Sequence, residues 1–377
     1  MNILIIIGTR PEAIKLAPIV TELQTYNKDI KVSVCITAQH RELLDDVLEN
    51  FKIIPDFDLD IMSTNQTLES ITSNVLNGIT KILKEQSYDW VIVQGDTTTA
   101  LSSALAAFYQ KVKVGHVEAG LRTYNKTEPF PEEINRQLIS KLSDLHFAPT
   151  EESKSNLILE NIDANDIVVT GNTVIDALSI AMKQPLTNFL QNILPLIGSG
   201  KKIITITAHR RENFGEPLEN ICTAIIKLAS IYKDQYHFVY PVHPNPNVKT
   251  VVFDKLSGIE NITLTEPLNY FDFIQLLKQS ILVITDSGGL QEEAPSFGIP
   301  VMILRNKTER NEGIKSGAGL IIGTNASTII QSVSQLLDDP TEYKSHSTYN
   351  NPYGDGKATS RIIGSLLGSH IEEFKHT

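Results

Sequence analysis

Three acidic residues in the first half of the sequence have the placement expected of acid–base catalysts. Asp96 and Glu118 each come after an apolar run typical of a strand, and Glu132 follows the proline-rich stretch EPFP. If those strands are parallel, their carboxyl ends meet at one edge of a sheet, where the three carboxylates would gather. Crowded, partly desolvated carboxyl groups acquire raised pKa values and exchange protons near neutral pH. Taken singly, each residue would also suit a helix cap or a surface position.

The segment GTRPEAIK at residues 8–15 has the composition of an anion-binding turn. Gly8 ends an apolar run and permits a tight turn, and Pro11 suits the first turn of a helix. Arg10 and Lys15 would flank the helix N-terminus, whose free N–H groups attract anions. A plain strand–turn–helix connection with solvated cations would contain the same residues. The chain has neither a Walker loop nor a GxGxxG fingerprint, which disfavours ATP hydrolysis and nicotinamide binding.

A second candidate for anion binding is TDSGGLQEE at residues 285–293, which follows another apolar run. Ser287 can cap the helix that starts here. Gly288 and Gly289 would let phosphate oxygens approach backbone N–H groups closely. Glu292, one turn further on, would be able to accept hydrogen bonds from ribose hydroxyls. The alternative is a capped helix with a solvated glutamate.

Imidazole and guanidinium groups also cluster after strands in the second half of the chain. His209, Arg210 and Arg211 follow KIITIT, and His243 follows HFVYPV. Such a cluster favours binding of a diphosphate. These histidines and His116 show no HxH or HExxH spacing, so the sequence predicts no metal.

Length and composition limit the class of protein. The chain has 377 residues, 41% of them hydrophobic and 20% charged, and a formal net charge of −11. That charge argues against a nucleic-acid partner. The apolar run at 1–7 is too short to cross a membrane and lacks the features of a signal peptide. With only Cys35 and Cys222, the chain suits a reducing compartment, so we predict a cytoplasmic protein with no membrane partner.

The elements that must position these side chains alternate between short β-rich runs and helical stretches. This alternation predicts doubly wound parallel sheets. The predicted strands are 2–7, 31–37, 90–94, 112–117, 145–148 and 167–170, then 202–207, 237–241, 262–265, 281–285, 299–304 and 319–322. The predicted helices are 12–25, 68–84, 98–109, 132–143 and 152–160, then 217–232, 270–278, 288–297 and 326–337.

A break at 184–201, rich in proline and glycine, separates two similar α/β halves. We therefore predict two Rossmann-like domains. The first, 1–180, would carry the acid–base carboxylates, and the second, 181–355, would bind the nucleotide. The tail 356–377 looks helical and would be able to pack back on the first domain.

Eight motifs together identify a family resemblance. In order, they resemble those of the non-hydrolysing UDP-N-acetylglucosamine 2-epimerases over residues 3 to about 360. They are GTRPEAIK, QGDTTT, HVEAGLRT, PFPEEINR, GNTVIDAL, AHRRENFG, PVHPNP and TDSGGLQEEAPSFGIP. The resemblance implies a GT-B fold with two Rossmann-like domains facing a central cleft. It also implies a homodimer, UDP-N-acetylmannosamine as the product, and neither a metal nor a nicotinamide cofactor.

Residue by residue, Asp96, Glu118 and Glu132 match the acid–base carboxylates of the family. Gln39 and His40 fall where bacterial members hold a second UDP-N-acetylglucosamine as an allosteric activator. The family's contacts to the nucleotide diphosphate match Arg10, Lys15, His209, Ser287, Gly288, Gly289 and Glu292.

One loop departs from the family pattern. After the strand near 304 the family usually has RDTTERPE, whereas this chain has RNKTERNE at 305–312. Asn306 and Asn311 thus stand in place of Asp and Pro.

The activity implied by the resemblance is epimerisation by elimination and re-addition of UDP through a glycal, for surface polysaccharide precursors. A GT-B glycosyltransferase would share the fold and the nucleotide site, but three carboxylates in one domain favour the epimerase. The sequence also leaves open a hydrolysing epimerase and a non-enzymatic nucleotide-binding module. Incubation with UDP-N-acetylglucosamine alone discriminates among the three enzymes, whereas the carboxylate cluster disfavours the non-enzymatic module.

Overall fold

The chain forms two compact units, seen in a computed structural model. The structure describes residues 1–26, 30–37, 41–61, 66–186, 190–191, 193, 200–308, 310–347 and 350–376, without the side chains of 41–43. Unit 1 comprises Met1–Ile180 together with Tyr353–Thr377, and unit 2 is Ala181–Pro352. The domain boundaries expected from the sequence, after residues 180 and 355, lie at or within three residues of these divisions.

Unit 1 is built on a seven-stranded parallel sheet with the order β3-β2-β1-β4-β5-β6-β7. Its strands are β1 Asn2–Ile7, β2 Lys31–Ile36, β3 Phe57–Asp58, β4 Trp90–Gln94, β5 Lys113–Val117, β6 Leu145–Ala148 and β7 Ile167–Val169. Its helices are α1 Arg10–Leu23, α2 Arg41–Asn50, α3 Leu68–Glu85, α4 Thr98–Tyr109, α5 Glu132–Leu142, α6 Glu151–Leu159 and α7 Thr173–Ala181, which ends at the first residue of unit 2.

The sheet of unit 1 is buried on both faces, which explains its continuous apolar strands. In β1 the side chains of Ile3 to Ile7 are all buried, whichever face they occupy. Helices α3, α4 and α5 cover one face, where Val75 and Ala104 belong to a single apolar cluster with Leu4.

Unit 2 repeats this design with a six-stranded parallel sheet of order β10-β9-β8-β11-β12-β13. Its strands are β8 Lys202–Thr207, β9 Tyr236–Pro241, β10 Ile262–Thr265, β11 Ser280–Thr285, β12 Val301–Ile303 and β13 Gly319–Ile321. Its helices are α8 Glu216–Ile231, α9 Pro246–Leu256, α10 Tyr270–Lys278, α11 Gly288–Glu293, α12 Asn311–Lys315, α13 Ala326–Asp338 and α14 Pro340–His346. The predicted fold class, GT-B-like with two doubly wound α/β domains, is confirmed.

Every predicted strand is present, with ends within two residues of the expected ones. The predicted helix 288–297 is shorter than expected. It leaves α geometry after Glu293 and continues as a 3₁₀ turn, Ala294–Phe297, that contains Pro295. The sequence analysis did not predict β3, α2, α7, α9, α12 or α14.

The C-terminal segment forms part of unit 1. Helix α15, Ala358–Leu366, starts with the N–H groups of Ala358 and Thr359 donating to the buried carboxylate of Asp176 at 3.2 and 2.9 Å. Further along, the Phe374 N–H donates to the Val169 carbonyl at 2.8 Å. This segment thereby lies against the edge of the sheet at β7.

Within the described part of the chain, no helix combines the length and the apolar character needed to cross a bilayer.

Candidate functional site

The strand order of each sheet reverses between two central neighbours. In unit 1 these neighbours are β1 and β4, and in unit 2 they are β8 and β11. In doubly wound sheets the loops that leave such strands diverge to opposite faces, which opens a crevice at their carboxyl ends where ligands bind. The residues predicted to act on the ligand follow these strands and their neighbours β5 and β9, so each unit has its candidate groups at its own switch point.

At the switch point of unit 1, Glu12 joins the turn after β1 to the turn after β4. Glu12 is 1% exposed; it accepts hydrogen bonds from the Gly8 N–H at 3.0 Å and from the Thr97 hydroxyl at 2.7 Å. Burial raises the pKa of Glu12 to about 7, against the lowering effect of hydrogen bonds from Thr97, Thr9 and Gly8. The sequence analysis missed this residue, although it lies inside the GTRPEAIK motif.

Gly8 is required at this turn because of a close approach. A Cβ atom at this position would lie 2.6 Å from Oγ1 of Thr99 in the first turn of α4. The glycine therefore lets the end of β1 pass beside α4. Arg10, half-buried, is the first residue of α1, with Thr9 at the N-cap and Pro11 in the first turn.

Glu118 forms a buried ion pair with Lys15. Its Oε2 atom lies 2.6 Å from the Lys15 ammonium, with side-chain exposures of 5% and 11%, and also accepts a hydrogen bond from the Gln94 amide. Glu118 has a φ of +64°, a left-handed conformation that costs energy for a residue with a Cβ atom. Lys15, predicted to contact the diphosphate, thus holds a predicted catalytic carboxylate in place.

Asp96 lies in the turn after β4 and is bound to α5. Its Oδ2 atom accepts hydrogen bonds from Nε of Arg136 and lies 2.7 Å from the NH2 group of the same guanidinium. Its backbone carbonyl accepts a hydrogen bond from the Asn135 side chain at 2.9 Å. Because Glu132 is the first residue of α5, these contacts bring the β4 turn to the helix that carries the third predicted carboxylate.

The loop before α5 is organised by Glu133, which is fully buried. Its carboxylate accepts the N–H groups of Thr123 and Tyr124 at 3.0 and 3.1 Å, and Arg136 lies 3.2 Å away. Arg136 therefore contacts both Glu133 and Asp96. Glu132 itself is half-buried.

His116, which lacks the sequence spacing of a metal ligand, is part of the buried sheet. Its Nε2 lies 2.7 Å from the Gly95 carbonyl, which only accepts, so Nε2 carries the proton. Burial lowers the pKa of His116 to about 3, so the ring is neutral. Among the described residues, no three His, Cys, Asp or Glu side chains converge in a way that would hold a metal ion.

At the switch point of unit 2, Asp286 joins the turn after β11 to the loop after β8. Its buried Oδ2 atom accepts three hydrogen bonds, from the N–H groups of His209 and Arg210 at 2.8 and 2.9 Å and from the Asn213 amide at 2.9 Å. Within the described part of the chain, its Oδ1 atom has no hydrogen-bond partner, and it lies 3.6 Å from Nδ1 of His209. The sequence analysis placed Asp286 within its motif without giving it a role.

The side chains of the second site are held around this carboxylate. Nε of Arg210 donates to the Asp286 carbonyl at 2.9 Å. The rings of His209 and His243 are stacked, with centroids 5.2 Å apart and planes inclined by 11°. Nδ1 of His243 accepts the Asn245 N–H at 3.1 Å. The predicted cationic cluster is thus assembled, with the His209 side chain 37% exposed.

The glycine-rich turn differs in detail from the expectation. Ser287 occupies the N-cap of α11, but its hydroxyl makes no cap hydrogen bond. A Cβ atom on Gly288 would lie 2.9 Å from the Arg310 guanidinium carbon, so this glycine leaves room for Arg310. A Cβ atom on Gly289 would meet only the Ser287 hydroxyl, at 3.9 Å. Glu292 is buried, and its Oε1 accepts a hydrogen bond from Nε of Arg310 at 3.0 Å.

The unusual loop at 305–312 is tied to α11 at two points. The Thr308 hydroxyl donates to the Gln291 side chain at 2.6 Å, and Arg310 pairs with Glu292. Asn311, in place of the family's proline, is the first residue of α12. Glu309 in this loop, and Gln39 and His40 of the predicted allosteric site, lie outside the described residues.

Together these groups would suit two kinds of chemistry. Unit 1 gathers carboxylates that neighbouring cations or N–H groups orient, which suits proton transfer. Unit 2 gathers imidazole, guanidinium and backbone N–H groups, which suits binding of a diphosphate.

The chain is similar to known proteins over nearly its whole length. A family model described as UDP-N-acetylglucosamine 2-epimerase matches residues 22–367. The chain is 48% identical to the UDP-N-acetylglucosamine 2-epimerase of Neisseria meningitidis, over 97% of this chain and 99% of that one. It is 49% identical to the Bacillus subtilis enzyme of the same name, over 97% and 95%. The crystal structure of the Neisseria meningitidis epimerase bound to UDP-GlcNAc superposes with a TM-score of 0.92, covering 98% of this chain and all of the other.

Proposed function

The chain belongs to the UDP-N-acetylglucosamine 2-epimerase family, and from that premise we propose that it interconverts UDP-N-acetylglucosamine and UDP-N-acetylmannosamine without hydrolysis. The relative that was crystallised with UDP-GlcNAc supports the choice of substrate. The reaction we propose is elimination of UDP to a glycal, followed by its addition back to the sugar.

The observation that carries the proposal is the grouping of carboxylates at one edge of the unit 1 sheet. Asp96 and Glu118 follow the adjacent strands β4 and β5, and Asn135 ties the Asp96 turn to the helix that begins at Glu132. Arg136 fixes the Asp96 carboxylate, and Lys15 fixes the Glu118 carboxylate. Removing a proton from one face of a sugar carbon and returning one to the other face requires more than one acid–base group.

The chemistry has to deal with an unactivated carbon. The hydrogen on carbon two is not next to a carbonyl, so its removal alone would leave an unstabilised carbanion. We propose that a carboxylate takes this proton as the bond from carbon one to the UDP oxygen breaks. The electron pair of the C–H bond then forms the double bond of the glycal, and UDP leaves with the electrons of the C–O bond. Reversal with protonation from the opposite face gives the epimer.

Negative charge develops on the departing diphosphate in this step. We propose that groups on unit 2 stabilise it, with Arg10 of unit 1 as a further contact. Ordered donors in such a site act without reorganising, so each can lower the barrier. The unit 2 groups are His209, Arg210, His243, Ser287, Gly288 and Gly289, whereas Glu292 is proposed to accept hydrogen bonds from the ribose hydroxyls of the nucleotide.

The test is NMR of purified protein with UDP-N-acetylglucosamine alone in heavy water. The proposal expects UDP-N-acetylmannosamine with deuterium at carbon two, together with small amounts of UDP and glycal. Release of UDP and free N-acetylmannosamine would indicate a hydrolysing epimerase. A substrate that stays unchanged until a sugar acceptor is added would indicate a glycosyltransferase. Retention of the original hydrogen, with NAD recovered from the protein, would reject the elimination.

We further propose, from the family resemblance, a cytoplasmic homodimer that supplies precursors of surface polysaccharides. A second molecule of UDP-N-acetylglucosamine would act as an allosteric activator at Gln39 and His40. Sedimentation equilibrium tests the dimer. A sigmoidal dependence of rate on substrate that is lost in His40→Ala tests the activator site.

A further inference from the structure

The carboxylate of Asp286 uses its two oxygens differently. Oδ2 accepts three N–H hydrogen bonds and so holds the loop after β8 in place. Oδ1 is buried, has no hydrogen-bond partner among the described residues, and lies 3.6 Å from Nδ1 of His209. A movement of less than about 1 Å would bring these two atoms to hydrogen-bond distance. Bonds of this kind are often long in ligand-free proteins and tighten when the ligand binds.

Of the two stacked imidazole rings, His209 is the one that can take up a second proton. Nδ1 of His243 accepts the backbone N–H of Asn245, so that nitrogen carries no proton and the His243 ring is neutral. The two rings stack at 5.2 Å, where two positive charges would repel each other. The other charged group in contact, Arg210, directs its Nε to the Asp286 carbonyl. The Asp286 carboxylate therefore faces an imidazole that is able to become charged.

We propose that Asp286 is a positioning residue that fixes the tautomer of His209, with the proton on Nδ1, and supports a positive charge on the ring when a diphosphate lies at Nε2. The ionised carboxylate only accepts, so it selects an Nδ1–H ring. A ring held this way presents Nε2 to the ligand, and protonation turns Nε2 into a donor. The role at the ligand rests on the proposed function, whereas the tautomer of the ligand-free ring does not.

The tautomer is measured by NMR of protein labelled with ¹⁵N-histidine, with His209 assigned from the spectrum of His209→Gln. We expect a neutral Nδ1–H ring without ligand near pH 8, and a doubly protonated ring at pH 7 once UDP is bound. A ligand-free ring with its proton on Nε2 would overturn the proposal, and this measurement needs no Asp286 variant.

The informative variant is Asp286→Asn. Its amide oxygen can keep the three N–H donors, which turns the NH₂ group towards His209 and selects the opposite tautomer. The same substitution of the orienting aspartate in serine proteases leaves the geometry intact but traps the wrong tautomer. We expect an Nε2–H ring that UDP no longer protonates, and about tenfold weaker UDP binding because a charge-assisted hydrogen bond becomes a neutral one.

Asn213→Ala is the matched control, since it removes one donor to the same Oδ2 atom and leaves the carboxylate facing His209. It should keep the Nδ1–H tautomer and bind UDP within about threefold of the unmodified protein. Between about pH 7 and 9 the terminal phosphate of UDP stays ionised. Over that range affinity should fall with rising pH in the unmodified protein and in Asn213→Ala, but not in Asp286→Asn. An unchanged tautomer and pH dependence in Asp286→Asn would refute the proposal, whereas failure of the unmodified protein to bind UDP would refute the proposed function alone.

Discussion

At both switch points a buried carboxylate holds two turns together, but the groups around the two carboxylates differ in charge. In each sheet, one buried carboxylate bridges the turn after the first strand and the turn after the fourth: Glu12 between β1 and β4, and Asp286 between β8 and β11. Glu12 is surrounded by neutral donors, and no charged group contributes to its raised pKa. Asp286 instead lies 3.6 Å from an imidazole, and its carbonyl binds a guanidinium.

This difference suggests how one fold is adapted to two tasks. The buried Glu12 carboxyl, with a pKa of about 7, is largely uncharged only below neutral pH, and it holds two loops together through neutral donors. Asp286 instead has its carboxylate near the His209 ring and its backbone carbonyl bound to the Arg210 guanidinium, so it orients groups that can carry positive charge. We therefore expect variants of the unit 1 carboxylates to affect proton transfer and pH response, and variants of the unit 2 cluster and of Arg10 to affect nucleotide affinity.

The largest expected effect is on turnover. Asp96→Asn, Glu118→Gln and Glu132→Gln should each lower kcat by about 10²–10⁴, the usual contribution of a general acid or base. UDP affinity measured by calorimetry should remain within a few-fold, because these carboxylates are assigned to the chemistry.

Glu85→Gln is the matched control for these variants, because Glu85 is exposed at the end of α3 and should be dispensable. Near-normal turnover in all three variants, or a matching loss of UDP affinity, would break the proposed division between the units.

The next largest effect is the pH dependence that Glu12 gives to the stability of the protein. The pKa of Glu12 is raised from 4.5 to about 7, so the folded protein keeps a proton that the unfolded chain releases. Its stabilising contribution is therefore complete below pH 4.5 and is lost as pH rises through about 7. The size is about 3 kcal/mol in the free energy of unfolding.

The side-chain amide of Glu12→Gln does not ionise. The free energy of unfolding of this variant, relative to that of the unmodified protein, should therefore rise between pH 5 and 8. Urea unfolding at a series of pH values measures this trend. Parallel stability curves for the two proteins would mean that Glu12 does not titrate in this range.

A comparable effect is expected on UDP binding. His209→Ala and Arg10→Ala should each weaken UDP binding by about 1.5–3 kcal/mol, the contribution of a hydrogen bond to a charged group. Ser287→Ala should lose less, because a neutral hydroxyl is removed. Calorimetry that finds unchanged affinity in both of the first two variants would show that the diphosphate binds elsewhere.

The smallest effect distinguishes the two glycines of α11. Gly288→Ala would push a Cβ atom against Arg310, whereas Gly289→Ala would make an ordinary van der Waals contact with the Ser287 hydroxyl. Because Arg310 is a flexible side chain, we expect Gly288→Ala to destabilise unit 2 by about 1 kcal/mol relative to Gly289→Ala. If Gly289→Ala instead loses UDP binding while remaining stable, backbone approach of the phosphate at Gly289 gains support.

The sequence predicted the sheets well because buried parallel strands are short apolar runs with clear ends. It did not predict α7, whose sequence TVIDALSIA is apolar along most of its length. Helix α2 did carry a signal, since Leu44, Val47, Leu48 and Phe51 follow a helical spacing and are buried. The two-residue strand β3 is too short to leave a pattern.

The site residues also divide into those that the sequence identifies and those whose roles only the folded structure shows. Asp96, Glu118 and His209 were identifiable because unusual polar residues follow strands. The roles of Glu12 and Asp286 depend on partners 85 and 77 positions away, and only the folded structure brings these together. The pairing of Lys15 with Glu118 likewise spans 103 positions, so the sequence could not distinguish it from a diphosphate contact.

The placement of α15 has a consequence for how the protein is made. Unit 1 is discontinuous, because the ribosome synthesises all of Ala181–Pro352 before the segment that starts at Tyr353. Until that segment emerges, the Asp176 carboxylate lacks the N–H donors of Ala358 and Thr359, and Val169 lacks its partner at Phe374. Unit 2 is continuous, so all of its residues precede the segment that completes unit 1. A chain truncated after residue 352 would therefore contain every residue of the second unit beside a first unit that lacks its C-terminal segment.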